Sequence, residues 1–333
     1  MLLDGETLAP VPAVRQLLED AEGDELPGRL KTELHASVVE LNTDVCSSPD
    51  EAIEAIRLLR SRAAELLEAR GLRLAAAASH PFAEPEDLDI VDEERYREFV
   101  GYAGVTARRQ GVSGLHVHVG MPGAEECFRT LETILPWMPL VLALSANSPY
   151  LAGRATGLAS NRAEILAQLP RSGAPPDFGS YGAWEAWIER FIETGLASDY
   201  TQFWWDVRPH PRFGTLEIRM PDQPTALEVS DALIRLLRDL CGWALEHPAD
   251  GSADRGIYQQ NRWAAGRFGP EAKLVHDGRL LDASELVGEL PVELHGLDPS
   301  GCEAERQLSF DDPRAACADI VARTWPSSRR PST

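Results

Sequence analysis

The sequence predicts an α+β fold in which a mostly antiparallel sheet carries long helical insertions packed on one of its faces. The strand-like segments are short, and much longer stretches with helical periodicity separate them, without an internal repeat. Of the 333 residues, 44% are hydrophobic and 26% are charged, as in globular proteins with a well-filled core. We expect one domain over residues 1–323, more helical over residues 251–323, and a disordered tail over residues 324–333.

The helix predicted over residues 49–70 has signals at both ends. Ser48 is a candidate N-cap, Glu51 stands where it would complete a capping box, and Gly71 follows the last turn. Between these ends, apolar residues recur with the spacing of one helical face. This is the clearest helix signal in the sequence.

Two further helices are predicted, over residues 226–246 and over residues 183–194. Thr225 and Glu228 form a second candidate capping box, and Pro248 lies beyond the end of the first of these helices. The other helix has tryptophan and phenylalanine on one side. We interpret that stripe as core packing rather than as a platform for a ligand.

Four segments are strand-like, namely residues 37–42, 73–78, 115–121 and 215–220. Residues 170–182 are rich in Pro, Gly and Ser and are predicted to form a loop. An uncharged stretch over residues 133–153 is long enough to cross a membrane. Because it contains three prolines and lacks flanking positive charges, we interpret it as a buried helix that enters a polar loop.

Composition and charge argue against several classes of function. With 32 basic and 53 acidic residues the formal net charge is −21, so we expect no binding to nucleic acid or to an anionic membrane. The five cysteines are scattered, and the N-terminus lacks the pattern of a signal peptide, so we expect a reduced, cytoplasmic protein. P-loop, HExxH, GxSxG and GxGxxG motifs do not occur, so a nucleotide site must use other residues.

Polar residues within apolar strands are the candidates for a functional site. Strand alternation places His116 and His118 on one face, and it places Glu217 and Arg219 on one face of another strand. Glu40 shares the parity of apolar neighbours, so its carboxylate implies a cation or a basic partner. Together these residues describe a sheet face suited to a divalent metal and to anionic groups.

Each of these patterns also has a purely structural explanation. The two histidines are equally well explained as a hydrogen-bonded pair within a sheet. Glu217 and Arg219 are explained as part of a solvated face, where an ion pair stabilises the fold by only about 0–1 kcal/mol. A metal-dependent hydrolase built on His116 and His118 is a further hypothesis, although such an enzyme needs additional ligands at other strand ends.

Six segments, taken in their order along the chain, resemble a known family. They read ELHASVVELNT (33–43), GLHVHVG (114–120), LSANSPY (144–150), TGLASNR (156–162), WWDVRP (204–209) and LEIR (216–219). In this order they are similar to the type 2 glutamate–cysteine ligases, which are ATP-dependent carboxylate–amine ligases related to glutamine synthetase in their sheet. The resemblance covers most of residues 1–245 and implies a glutamine-synthetase-like sheet.

The resemblance implies a catalytic centre with bound Mg²⁺ and ATP. Glu40, His116 and Glu217 match the site of the catalytic Mg²⁺ ions, which prefer oxygen ligands and bridge the phosphates of ATP. Arg219 matches an arginine that stabilises the transferring phosphoryl group.

The resemblance also implies a set of residues that bind substrate or ATP. Arg162 and Arg208 look like clamps for phosphate or for a substrate carboxylate, which a guanidinium binds through its bidentate fork. His118 belongs to the same set. For the two arginines, salt bridges on the protein surface are the alternative explanation.

The activity implied is the ligation of the γ-carboxylate of glutamate to an amine through an acyl phosphate, with cysteine as the candidate amine. The expected partners are these small molecules and ATP, and a homodimer is the candidate assembly. In the family, the first strand carries a run of glutamates after a glycine, whereas residues 1–4 look like the end of that strand. We therefore expect either that the start of this sequence is placed too late or that these carboxylates are truly absent. The alternative is a remnant of the family that binds ligands without turnover.

Overall fold

The computed structural model describes residues 1–325, and its short strands alternate with longer helices. The strands are β1 (Leu2–Asp4), β2 (Gly28–Thr32), β3 (Val39–Thr43), β4 (Leu72–Leu74), β5 (Val117–Gly120), β6 (Tyr150–Leu151), β7 (Arg154–Ala155), β8 (Ser172–Gly173), β9 (Trp204–Trp205), β10 (Val207–His210), β11 (Thr215–Ile218), β12 (Lys273–His276) and β13 (Arg279–Asp282). The helices are α1 (Val14–Asp20), α2 (Pro49–Glu68), α3 (Glu94–Ala103), α4 (Val105–Arg108), α5 (Ala124–Ile134), α6 (Met138–Ser145), α7 (Asn161–Leu166), α8 (Tyr181–Glu193), α9 (Leu227–Glu246), α10 (Arg255–Phe268), α11 (Ala283–Val287), α12 (Glu303–Leu308) and α13 (Pro313–Thr324). This mixed content of helix and sheet agrees with the prediction.

One three-stranded sheet contains three of the candidate residues, and two more, His116 and Arg219, directly adjoin its strands. Its strand order is β10–β11–β5, and both of its ladders are antiparallel. In this register Arg208 lies opposite Glu217, which in turn lies opposite His118. Because directly opposed residues of neighbouring strands point to the same face, these three side chains form a polar row across the sheet.

The other pairings in the described part of the chain involve two strands each. The ladders β1–β4, β2–β3, β6–β7 and β12–β13 are antiparallel, whereas β8–β9 is parallel. Antiparallel pairing therefore predominates, but residues 1–325 form several small ladders rather than one continuous sheet. The strands are only two to five residues long, which leaves few backbone groups for longer ladders.

The core lies against the apolar face of the three-stranded sheet. Val117 of β5, Leu216 and Ile218 of β11, and the buried side chains of α5, α6 and α9 belong to one hydrophobic cluster. Strand alternation explains the division, since residues of one parity enter this cluster and those of the other parity form the polar row. The helices thus fix the sheet from one side and leave its polar face for chemistry.

The predicted helix over residues 49–70 is α2, which ends at Glu68. Ser48 Oγ accepts a hydrogen bond from Glu51 N–H at 3.2 Å, as expected of an N-cap. The carboxylate of Glu51 returns to Ser47 N–H at 2.7 Å, one residue earlier than a standard capping box requires.

Helix α9 begins at Leu227, but the predicted capping box of Thr225 and Glu228 was wrong. The carboxylate of Glu303 caps the helix instead, accepting from Thr225 N–H at 2.6 Å and from Ala226 N–H at 3.3 Å. The hydroxyl of Thr225 accepts from Asn147 Nδ2 at 3.1 Å. A cap supplied from the C-terminal part of the chain carries no signal near residue 225.

The apolar stretch is formed by α5 and α6 with a short 3₁₀ turn between them, followed by a polar loop. The segment Ala124–Ser145 is long and apolar enough to cross a membrane by length and composition. Within the structure 89% of its apolar window is buried, and a core helix of a soluble protein passes the same test. The predicted buried helix is thus present at this position.

Several predicted boundaries differ from the structure. The strand predicted over residues 73–78 is reduced to β4, because the alanines that follow it are buried without a ladder partner. Helix α8 begins at Tyr181, and its aromatic side packs into a cluster around Trp184, so this stripe is core as predicted. Thr324 still belongs to α13 and Trp325 is buried, so the expected tail cannot begin at residue 324. Residues 326–333 lie outside the described part of the chain.

Candidate active site

The candidate site centres on the buried carboxylate of Glu217 in β11, which is only 3% exposed. Arg208 Nε donates to Glu217 Oε2 at 2.6 Å, and Arg219 Nη1 donates to Glu217 Oε1 at 2.7 Å. Burial alone would raise the pKa of Glu217, but the two guanidinium groups outweigh it and hold that pKa well below its usual range. Two guanidinium charges against one carboxylate leave one net positive charge in this cluster.

Arg208 uses its guanidinium inside the protein. Besides Glu217, it reaches the carbonyl oxygens of Thr201 at 2.7 Å and Phe203 at 2.8 Å through Nη1. The residue is buried. The structure therefore places Arg208 as the link between Glu217 and the turn that precedes β9, rather than as a group open to the solvent.

Arg219 and two histidines form the accessible part of the polar face. His116 and His118 each lie 3.8 Å from Glu217 Oε1, and about a third of each histidine side chain is exposed (33% and 32%). Burial is the main cause that lowers the pKa of both imidazoles, so both are neutral at pH 7. Arg219 Nη1 donates to His116 Nδ1 at 3.3 Å, so the proton of the neutral His116 ring resides on Nε2. His118 Nδ1 lies 3.0 Å from Thr215 Oγ1.

Glu40 lies on a different ladder from Glu217. It is an exposed residue of β3, opposite Lys31 of β2, and it accepts a hydrogen bond from Asn42 Nδ2 at 3.2 Å. The structure thus brings His116 and Glu217 together, while it places Glu40 on the neighbouring β2–β3 hairpin. Sequence parity alone does not distinguish these two locations.

Glu33, at the end of β2, connects the hairpin with the sheet and was missed among the predicted site residues. The residue is exposed, but its carboxylate turns back to accept from Leu34 N–H. Burial of this carboxylate and the charge of Glu40 raise the pKa of Glu33, whereas Arg95 and Arg219 act in the opposite direction. Glu33 therefore lies within electrostatic range of both Glu40 and Arg219. The signal available in the sequence was its position at the start of the first matching segment.

The predicted magnesium ligands do not form a complete set in the described part of the chain. Within residues 1–325, no three His, Cys, Asp or Glu side chains are grouped as metal ligands would be. Both oxygens of Glu217 already accept hydrogen bonds from arginines. Mg²⁺ commonly takes only one or two carboxylates and completes its octahedron with phosphate and water, so Glu33 and Glu40 are the carboxylates that fit it best.

Arg162 is placed in the wall behind the site. It is 3% exposed, and its guanidinium donates to the carbonyl oxygens of Arg219 at 2.9 Å and Met220 at 3.1 Å. Asp222 lies 3.5 Å from the same guanidinium. The structure therefore does not bring Arg162 to the accessible face, where a clamp for phosphate or carboxylate would stand.

Aromatic residues border the histidines on the side of the β10–β11 turn. Phe213 is 63% exposed and stacks on His210 with 4.2 Å between ring centroids. The ring of His118 lies 5.0 Å from that of His210, edge to face. This surface presents apolar and neutral polar groups beside the positive charge of Arg219, as a site for a mixed polar and apolar ligand does.

Comparisons with known proteins give the family. The profile of the family described as glutamate-cysteine ligase family 2 matches residues 1–310. A relative from Rubrobacter xylanophilus, provisionally named glutamate–cysteine ligase 2-3, is 39% identical over 321 residues, which are 95% of this chain and 87% of the relative. A relative from Sorangium cellulosum with a similar provisional name is 36% identical over 87% of this chain and 79% of its own length.

A solved structure supports the fold. The crystal structure of a bifunctional glutathione synthetase from Pasteurella multocida superposes with a TM-score of 0.57 at 16% identity. The match covers 97% of this chain but 47% of that longer protein, so this chain spans about half of its length. With the family profile over residues 1–310, the chain belongs to glutamate–cysteine ligase family 2 and is an ATP-dependent carboxylate–amine ligase.

Proposed function

We propose that this chain joins the γ-carboxylate of glutamate to an amine, with cysteine as the candidate amine and ATP as the energy source. A carboxylate oxygen attacks the γ-phosphorus of ATP, so that ADP leaves and an acyl phosphate forms. The nitrogen of the amine then attacks the acyl carbon, phosphate leaves, and the nitrogen loses a proton. Family membership supports this reaction class, and the names of the relatives suggest the two substrates.

The observation that carries the proposal is the fixed guanidinium of Arg219 on the polar face of the sheet. The contact with Glu217 holds one of its nitrogens, and the cluster keeps one net positive charge. A preorganised cation of this kind stabilises the charge that develops on a transferring phosphoryl group. His118, which is partly exposed on the same face, is available to contact the substrates.

Glu33 and Glu40 are the residues that would hold Mg²⁺. Burial raises the pKa of Glu33 and the charge of Glu40 raises it further, so a bound cation would favour the ionised form of Glu33. A bound Mg²⁺ would neutralise part of the negative charge on the phosphates of ATP. The guanidinium of Arg219 would then stabilise the charge on the γ-phosphoryl oxygens.

The test is an assay of ADP release with ATP and Mg²⁺, in which glutamate and a panel of amines are supplied separately and together. We expect release that requires both substrates, and we expect cysteine to support it best. The variant Arg219→Lys should lose about 10²–10³-fold in kcat with an unchanged fold, because lysine keeps the charge but not the planar fork. Turnover that is independent of glutamate would overturn the proposal.

One alternative is kept because both oxygens of Glu217 are occupied by arginines. A remnant that binds ATP and Mg²⁺ without turnover would show heat of binding by titration calorimetry but no ADP release. For a metal-dependent hydrolase built on His116 and His118, no third ligand is grouped with them in residues 1–325. No observation therefore favours that function.

A further inference from the structure

The backbone of Arg219 is held from both sides by buried groups. Its N–H donates to the carbonyl oxygen of Asp206 at 2.8 Å, and its own carbonyl oxygen accepts from Arg162 Nη2 at 2.9 Å. β11 ends at Ile218, so Arg219 lies just beyond the ladder, where strand pairing no longer fixes the chain. These two hydrogen bonds replace the ladder at this position.

Arg162 holds the side that follows Arg219. Its planar fork spans two consecutive carbonyl oxygens, those of Arg219 and Met220, through different nitrogens. Asp222 balances its charge, and this carboxylate also accepts from the hydroxyls of Ser148 and Ser160 at 2.8 and 2.9 Å. These hydrogen bonds fix the carboxylate of Asp222, which in turn helps to hold Arg162 in one place.

Asp206 holds the opposite side through its backbone carbonyl oxygen, while its own carboxylate is anchored by buried donors. Tyr258 OH donates to Asp206 Oδ2 at 2.8 Å, and Arg262 donates to both carboxylate oxygens at 2.8 and 3.2 Å. Arg262 Nη2 is shared with the carbonyl oxygen of Ala163 at 3.2 Å. All three partners are buried, so Asp206 offers its backbone carbonyl to Arg219 from a rigid position.

We propose that Arg162 and the Asp206–Arg262 pair are positioning residues, which aim the guanidinium of Arg219 at the transferring phosphoryl group without touching a substrate. Their burial excludes direct contact with a ligand on the accessible face. The inference rests on the proposed function for the role of Arg219, but the bracing itself is a property of the fold.

Gly114 shows how closely Arg162 is confined. A Cβ atom at this position would lie 2.1 Å from Arg162 Nη2 and 2.5 Å from its Cζ. The guanidinium would have to move, since no Cβ tolerates such a distance. The variant Gly114→Ala therefore displaces the brace while every charge in the network stays in place.

The first experiment separates positioning from substrate binding by kinetics. We expect Arg162→Lys and Gly114→Ala each to lower kcat by about 10²-fold, since a misplacement of about 1 Å in a catalytic group has that cost. The KM values for ATP and glutamate should stay nearly unchanged. In an Arg219→Lys background, Arg162→Lys should cause no further loss, because both changes remove the same interaction. A raised KM with unchanged kcat would show a direct clamp instead, and losses that multiply in the double variant would also overturn the proposal.

The second experiment does not depend on activity. Hydrogen exchange of the peptide over residues 215–222 should become faster in Arg162→Lys and in Gly114→Ala, because the brace of the Arg219 backbone is loosened. The control is Arg255→Lys, since Arg255 also pairs with a carboxylate, that of Glu132 at 2.5 Å, but does not contact Arg219. It should leave kcat and this exchange unchanged. Unaltered exchange in both test variants would overturn the bracing even if the wild-type chain proved to have no ligase activity.

Discussion

Two glutamates at the same site have opposite electrostatic surroundings. In the three-stranded sheet, the arginines beside Glu217 hold its pKa well below the usual range. On the neighbouring β2–β3 hairpin, burial and the charge of Glu40 raise the pKa of Glu33. One carboxylate is thus permanently paired within the fold, whereas the other lacks a close cation among the described residues that would offset its burial.

The sheet and the β2–β3 hairpin therefore have different roles in the site. The sheet supplies a fixed arrangement of charges that needs nothing from outside, as preorganised catalytic groups do. In the proposed function, the hairpin supplies two carboxylates whose repulsion a bound divalent cation would relieve. A ligase that handles ATP needs both, namely a rigid cation for the phosphoryl group and a place for an exchangeable metal.

The largest effect on the free energy of unfolding is expected from removing the charge of Glu217, and the comparison is the removal of the charge of Glu33. Glu217→Gln leaves Arg208 buried without its counter-charge, so the free energy of unfolding should fall by roughly 3–5 kcal/mol. Glu33→Gln should leave that free energy unchanged or raise it slightly, because folding disfavours the ionised form of Glu33. Urea denaturation of both variants measures the contrast. Equal losses of unfolding free energy in the two variants would show that the electrostatic surroundings of Glu217 and Glu33 do not differ.

A smaller effect is expected in the metal requirement. Glu33→Gln and Glu40→Gln should each raise the Mg²⁺ concentration for half-maximal ADP release by about tenfold or more, since even outer partners of a metal contribute about 10–100-fold. Glu51→Gln is the matched control, an exposed glutamate that holds only the start of α2. An unchanged Mg²⁺ dependence in the two hairpin variants would place the metal elsewhere.

The smallest effect is expected from acid, and His35 of the hairpin contributes one part of it beside other histidines whose pKa burial lowers, such as His80 and His116. Burial lowers the pKa of His35, in the β2–β3 connection, from its ordinary 6.5 to about 4. Between these values the unfolded chain binds more protons than the folded chain, so stability falls as the pH drops. The free energy of unfolding that His35 contributes should fall by about 1 kcal/mol between about pH 7.5 and pH 6. The contribution of Glu217, whose pKa is lowered by folding, is complete above its ordinary 4.5 and is lost only at lower pH.

Stability curves of wild type and His35→Gln at a series of pH values measure this prediction. The variant should show a flatter pH dependence of stability than the wild type above about pH 5. Hydrogen exchange localises the effect to residues 28–43. A wild-type curve that stays flat down to about pH 5 would contradict the burial of His35.

The sequence was most informative where the governing contacts are local. Helix α2 begins where Ser48 and Pro49 predict, because an N-cap acts within one turn. Alternation placed His116 with His118 on one face and Glu217 with Arg219 on one face of another strand, and the register of the structure brings His118 directly opposite Glu217. These inferences need only the geometry of a strand or of a helical turn.

The remainder depends on contacts between distant parts of the chain. Whether Arg162 stands on a surface or in a wall is decided by Met220 and Asp222, about sixty residues away. Glu33 belongs to the site because its carboxylate interacts electrostatically with Arg219 and Glu40, and no spacing in the sequence reveals this proximity. The strand residues were therefore predictable, but the partners that fix their charges were not.

The cap of α9 has a consequence for the order of events during protein synthesis. Glu303 lies 78 residues beyond Thr225, whose backbone N–H it caps. At elongation rates of about 5–20 residues per second, the ribosome needs roughly 4 to 16 s to make that interval. Until then the amide groups of Thr225 and Ala226, directly before the core helix, lack this carboxylate as a partner. The helix behind the polar sheet is thus completed late in translation, after the strands that it supports have emerged.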